Sequence, residues 1–100
     1  MNVDIQAVHF NAREELLQFV KDNVAKLQQF YAHITSVDVI LKAEKDEKGD
    51  NKKVEIKIAV PGKTLFAEDH HDSFEEATTS VCDKLKRQII KYRDKQYAHH

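Results

Sequence analysis

The stretch KVEIKIAVPGKTLFAED, residues 53–69, decides the fold. Val54, Ile56, Ile58 and Val60 alternate with Lys53, Glu55, Lys57 and Ala59. That period of two gives a strand one apolar face and one wet face. Pro61-Gly62 then makes a tight turn, because Pro presets φ and Gly accepts a positive φ. Thr64 to Asp69 follows as a further strand, with Leu65 and Ala67 facing one way. Strands joined by so short a turn pair antiparallel.

Reading outward, Val37, Val39, Leu41 and Ala43 alternate with Ser36, Asp38, Ile40 and Lys42, which predicts another strand. The polar segment 45–51 links it to the hairpin, with its turn at Gly49-Asp50-Asn51. At the start of the chain, Val3, Ile5 and Ala7 alternate with Asp4 and Gln6, a strand over residues 2–9. Leu16, Leu17, Val20, Val24, Leu27 and Tyr31 then recur at helical spacing, while Lys21, Asp22, Gln28 and Gln29 fall off the stripe. This predicts an amphipathic helix over 12–31, opened by a capping box of Asn11 and Glu14. Asp72 and Glu75 repeat the capping pattern before a second helix, whose buried stripe is Phe74, Thr78, Val81, Leu85, Ile89 and Tyr92. The order is β-α-β-β-β-α, with three strands in a meander. Each helix has one apolar stripe, so both pack on one face of a four-stranded sheet in a two-layer α+β domain. Strands 2–9 or 52–60 are the candidates for an exposed edge.

One hundred residues make one domain with enough core to fold unaided. We assign residues 1–96 to it and 97–100 to a short frayed tail. One cysteine, Cys82, excludes an internal disulfide framework and fits a reducing compartment. No apolar run reaches the ~20 residues that cross a bilayer, and the first residues lack the features of a signal peptide. The expected location is the cytoplasm. Two glycines are too few for a Gly-rich nucleotide cradle.

Charge is segregated. Residues 84–100 hold six bases (Lys84, Lys86, Arg87, Lys91, Arg93 and Lys95) against one acid, Asp94, a net of +5. The other 83 residues hold ten bases and sixteen acids, a net of −6. Lys84, Arg87, Lys91 and Lys95, spaced 3, 4 and 4, share one side of the second helix; Lys86 and Arg93 take the other. One or two cations would complement the macrodipole; six exceed that need and point to a phosphate-backbone partner. Lys21 and Lys26 on the first helix extend the patch across the helical layer, a weaker signal than the second helix gives. Because these cations lie off the apolar stripe, charge reversal at Lys84, Arg87 and Lys91 is expected to spare the fold.

Other candidates read as structure. His70 and His71 are adjacent at a strand end, so their side chains diverge and do not converge on a metal. Cys82 has no base in reach and reads as a small buried side chain. No catalytic constellation, cofactor site or small-molecule site is legible. Phe66 lacks an aromatic neighbour on its strand face, so it makes no base-stacking platform, and Phe10 and Phe66 read as core or edge packing.

The strings Asp72-Ser73-Phe74-Glu75-Glu76-Ala77 and Asp83-Lys84-Leu85-Lys86-Arg87-Gln88-Ile89-Ile90-Lys91-Tyr92-Arg93-Asp94-Lys95, with Val24-Ala25-Lys26-Leu27 on the first helix, resemble the ribosome hibernation promoting factor family. The resemblance covers nearly the whole chain and is most specific from Lys84 to Lys91. It implies a fold related in shape to double-stranded RNA-binding domains. It further implies a translation inhibitor of stressed or stationary cells that binds small-subunit rRNA in the mRNA–tRNA channel of the ribosome. The implied phosphate contacts are Lys84, Arg87, Lys91 and Lys95, supported by Lys86, Arg93 and Lys26. The chain resembles short members, which lack the domain that pairs ribosomes; some of these act with a second hibernation factor, and others oppose pairing through a longer tail. Alternative readings from the residues are a general double-stranded RNA binder and a sheet-edge protein-interaction or dimerisation module.

Overall fold

The computed structural model describes residues 1–45, 49 and 51–97. Its elements are β1 (Asn2–Val8), α1 (Glu14–Ala25), a 3₁₀ turn (Lys26–Gln29), β2 (Ser36–Ala43), β3 (Lys52–Val60), β4 (Lys63–His71) and α2 (Phe74–Tyr97). The four strands form one sheet in the order β1-β2-β3-β4. β1 pairs parallel with β2, the crossover being α1, and the other pairings are antiparallel. The expected two-layer α+β architecture is therefore present. β3 is central, however, so residues 52–60 offer no free edge. The edges are β1 and β4, because the hairpin folds β4 outward from β3.

The pairing register aligns the apolar alternation into rows. Val3 sits beside Val37, Ile58 and Leu65, and Ile5 beside Val39, Ile56 and Ala67. The helices cover this face with Val20, Val24 and Leu27 from the first and Ala77, Val81, Leu85 and Ile89 from α2. All six residues of the predicted α2 stripe are buried. Phe10 packs on the core by stacking on Phe74 at 4.6 Å between ring centroids. Phe66 lies outside that core, on the helix-free face of edge strand β4, and is 45% exposed.

Both helix starts differ from the capping boxes read in the sequence. α1 begins at Glu14 behind an extended Arg13, with no side-chain cap. The intervening residues carry the chain through His9, at φ 70°, and deliver Phe10 to Phe74. At α2 the cap is Ser73, whose hydroxyl accepts the Glu76 N–H at 3.1 Å, and not Asp72. The Asp72 carboxylate lies against Gly49, where any Cβ would meet it at 2.9 Å. Gly49 also has φ 87°, a backbone conformation that favours glycine. Asp50 of the predicted turn lies outside the described residues.

The first helix tightens into the 3₁₀ turn instead of continuing to residue 31. The Phe30 and Tyr31 amides reach back three residues to Leu27 and Gln28, which satisfies terminal carbonyls without a glycine cap. Tyr97 belongs to α2, and residues 98–100 lie outside the described residues.

Side chains of α2 close the outer edge of β4. Lys84 Nζ donates to the Glu68 carbonyl at 3.1 Å and Gln88 Nε2 to the Phe66 carbonyl at 2.9 Å. Tyr92 Oη donates to the Pro61 carbonyl. Asp69 completes the clasp. It follows Leu65 and Ala67 on the helix side of β4 and pairs in register with buried Val54. It accepts hydrogen bonds from Ser80 Oγ and, at 2.9 Å, from the His70 amide. Lys84 Nζ and His71 Nε2 each lie 3.3 Å from its Oδ2. The Ser80 hydroxyl, aided by the His70 amide, His71 and Lys84, holds the Asp69 carboxyl well below the usual carboxylate range, against partial burial that raises it.

Two stability predictions follow from this packing. Thr78 is fully buried and, among the described residues, its hydroxyl has no hydrogen-bond partner. Thr78→Val keeps the shape and removes the desolvated group, so it should stabilise by about 1 kcal/mol and raise Tm by about 4–8 °C; a lower Tm would show that the hydroxyl has a partner. A depressed folded pKa at Asp69 contributes stability that is complete above its unfolded value near pH ~4 and is lost as pH falls through the folded one. Asp69→Asn should therefore lower stability at neutral pH by about 2 kcal/mol and flatten the decline below pH ~4 in chemical denaturation. An unchanged acid limb would contradict the clasp.

Candidate nucleic-acid interface

The predicted cations separate into two sides of α2. Their helical phases place Lys84, Arg87, Lys91 and Lys95 on the β4 side and Lys86 and Arg93 on the side of the first helix. Their chemistry differs from one residue to the next.

Lys84 is half-buried and engaged by Asp69 and the Glu68 carbonyl. Reversing it would aim a second carboxylate at Asp69, so the expectation that Lys84→Glu spares the fold is corrected. The missed signal was the alternation Leu65, Ala67, Asp69, which carries an acid onto the helix side of the sheet. Arg93 donates to the Phe30 carbonyl at 3.3 Å and pairs with Asp94 at 3.3 Å. Lys86 Nζ sits 4.9 Å from the centroid of the Phe30 ring, a cation–π contact. Both tie α2 to the end of the first helical segment. Lys26 is exposed near Cys82.

Arg87, Lys91 and Lys95 are exposed. Among the described residues no ion pair or hydrogen bond engages their side chains. At a rise of about 1.5 Å per residue they run about 12 Å along a rigid helix. This row has the properties of a phosphate-binding surface: fixed spacing, exposure to water and, among the described residues, no ion-paired carboxylate. Gln88, which no charge pattern would single out, holds the row over β4 through its bond to Phe66.

The helix-free sheet face is less suited to that task. Lys42 pairs with Glu55 at 3.0 Å and Lys53 with Glu68 at 3.5 Å, so its charges are largely compensated. Phe66 is its one exposed aromatic among the described residues. Cys82 is buried, and that burial, with the charge of Asp83, pushes its thiol up to about 11, which leaves it protonated and unreactive at neutral pH. No group of His, Cys, Asp and Glu among the described residues is arranged to hold a metal ion. No helix among them is long and apolar enough to cross a membrane.

Comparison with known proteins places this geometry in context. A ribosome hibernation promoting factor of Pseudomonas putida is 32% identical over 96 residues, spanning 96% of this chain and 90% of that protein. One from Escherichia coli is 30% identical over 99 residues, spanning 99% of this chain and 100% of that protein. Among solved structures, a ribosomal subunit interface protein from Coxiella burnetii superposes with a TM-score of 0.82 at 18% identity, over 94% of this chain and 99% of its own. The N-terminal domain of Thermus thermophilus Protein Y gives 0.80 at 18% identity, over 92% and 99%. At that identity the two structures establish the shared fold. The model of the family described as Sigma 54 modulation protein / S30EA ribosomal protein matches residues 3–97, and this chain belongs to that family.

Proposed function

We propose that this protein is a ribosome hibernation factor that inhibits translation by binding small-subunit rRNA in the mRNA–tRNA channel. The carrying observation is the unengaged row Arg87–Lys91–Lys95 on a rigid helix, in a chain whose relatives are named ribosome hibernation promoting factors. The fold shared with a protein titled as a ribosomal subunit interface protein supports the same reading. Residues 1–96 form the ribosome-binding unit, working in the cytoplasm, where a second hibernation factor can join it on the ribosome.

Binding requires no bond-making chemistry. Cations held in register displace condensed counterions from the RNA, and this term supplies affinity without reading sequence. Arg87, Lys91 and Lys95 make direct phosphate contacts. Lys86, Arg93 and Lys26 contribute field from the other side of α2, and Lys84 contributes mainly by fixing the helix on β4. A protein seated across the channel excludes mRNA and tRNA by occupying their space.

Sedimentation with ribosomes through sucrose gradients tests the reading. The wild type should co-migrate with small subunits or whole ribosomes at low salt. Arg87→Glu with Lys91→Glu and Lys95→Glu should abolish co-migration while leaving the circular dichroism spectrum and Tm nearly unchanged. A neutral triple variant should lower the log–log salt slope of binding by about 2–3, at roughly 0.7–0.9 per phosphate contact. Retained binding with an unchanged slope would refute the row, and equal affinity for free duplex RNA would favour a general duplex-RNA binder.

A further inference from the structure

The β4 flank of α2 faces a fourth unengaged cation that is not on the helix. Lys63 opens β4 directly after the Pro61-Gly62 turn and is exposed, and its side chain makes no ion pair or hydrogen bond among the described residues. Gly62 takes φ 78°, so the turn reverses the chain tightly and brings Lys63 back beside the end of α2. Tyr92 fixes this placement. Its ring is buried against Tyr31, at 5.7 Å between centroids, and its hydroxyl donates to the Pro61 carbonyl.

Turn and helix thus enclose an open groove of about 210 Å³, lined by Lys63, Thr64, Gln88, Lys91, Tyr92 and Lys95, with Leu65 at its base. Three lysines line it and no carboxylate does. Three like charges along one groove raise the local positive potential, which favours a bound anion. Gln88 is engaged by the Phe66 carbonyl, while the Thr64 hydroxyl can donate to an oxyanion.

We propose that this groove is a phosphodiester subsite in which Lys63 on the turn grips an RNA backbone phosphate of its own, beside those held by Lys91 and Lys95 on the helix. It extends the helical row onto the end of the sheet and rests on the RNA-binding reading above. Tyr92 acts as a positioning residue: it touches no phosphate but holds the turn that carries Lys63.

The test is a salt titration of ribosome affinity for wild type, Lys63→Gln, Tyr92→Phe and the double variant, with Tm measured for each. In parallel, amide chemical shifts of the full chain are followed as a short single-stranded RNA is added. Lys63→Gln should raise Kd several-fold and lower the salt slope by about 0.7–0.9, one phosphate contact, without changing Tm. Tyr92→Phe should reproduce part of that loss and add nothing in the Lys63→Gln background. The RNA should shift the amides of Gly62, Lys63 and Lys91 together. A Lys63→Gln variant that matches wild type in Kd and slope, while the helix triple variant fails to bind, would overturn the subsite and leave the ribosomal reading standing. If wild type itself ignores ribosomes, that reading falls, and the RNA titration alone decides the subsite: shifts at Lys63 and Lys91 uphold it, and their absence overturns it.

Discussion

The clasp between α2 and the outer edge of β4 is the constraint on which the rest depends. An edge strand leaves every second carbonyl without a partner, and such rows invite pairing with other chains. Here Lys84 and Gln88 supply the donors, four residues apart on the helix, to Glu68 and Phe66, two residues apart on the strand. Four helical residues advance about 6 Å and two strand residues about 6.7 Å. The spacings nearly match, so a helix lying antiparallel along the strand can satisfy successive carbonyls with side chains at every fourth position. Tyr92 continues the series at the turn.

The same docking orients the charge. With one flank of α2 fixed against β4, Arg87, Lys91 and Lys95 emerge along its outer side, and Lys86 and Arg93 are directed to Phe30. The acidic Glu75 and Glu76 sit in the first turn of α2 and Lys95 in the last. That polarity favours the helix through its macrodipole and concentrates positive charge at one end of the molecule. Stability and surface field therefore arise from one distribution of residues. A near-neutral net charge of −1 conceals it.

Much of this was legible in the sequence because burial on a sheet or helix imposes a period. The strict alternation around Val54–Val60 and the stripe Phe74–Tyr92 fixed strands, faces and layer order. What escaped depends on contacts between distant segments. Lys84 is one of four cations at helical spacing, and its contacts with Asp69 and the Glu68 carbonyl separate it from the other three. The alternation that makes Leu65 and Ala67 core residues also turns Asp69 toward α2, yet an acid at a strand end reads by default as solvated. Helix starts shifted for local reasons: Ser73 offered its hydroxyl to the Glu76 amide, while the Asp72 carboxylate lies against Gly49. The central place of β3 was implied by the hairpin, since each of its two turns adds a neighbour on an opposite side.

Separating engaged from unengaged cations changes how the basic helix should be understood. A lysine already bonded to a carboxylate must break that bond, or share it, before it can neutralise a phosphate, and the loss offsets the gain. Arg87, Lys91 and Lys95 exchange only water and mobile ions for RNA, so their full counterion-release term is available. Their stems still lose rotamer freedom on contact, and a rigid backbone keeps that loss confined to the side chains. A loop carrying the same residues would also lose backbone freedom on ordering. The clasp on β4 removes that part in advance, which is why the residues that hold α2 matter to recognition even where they touch no partner.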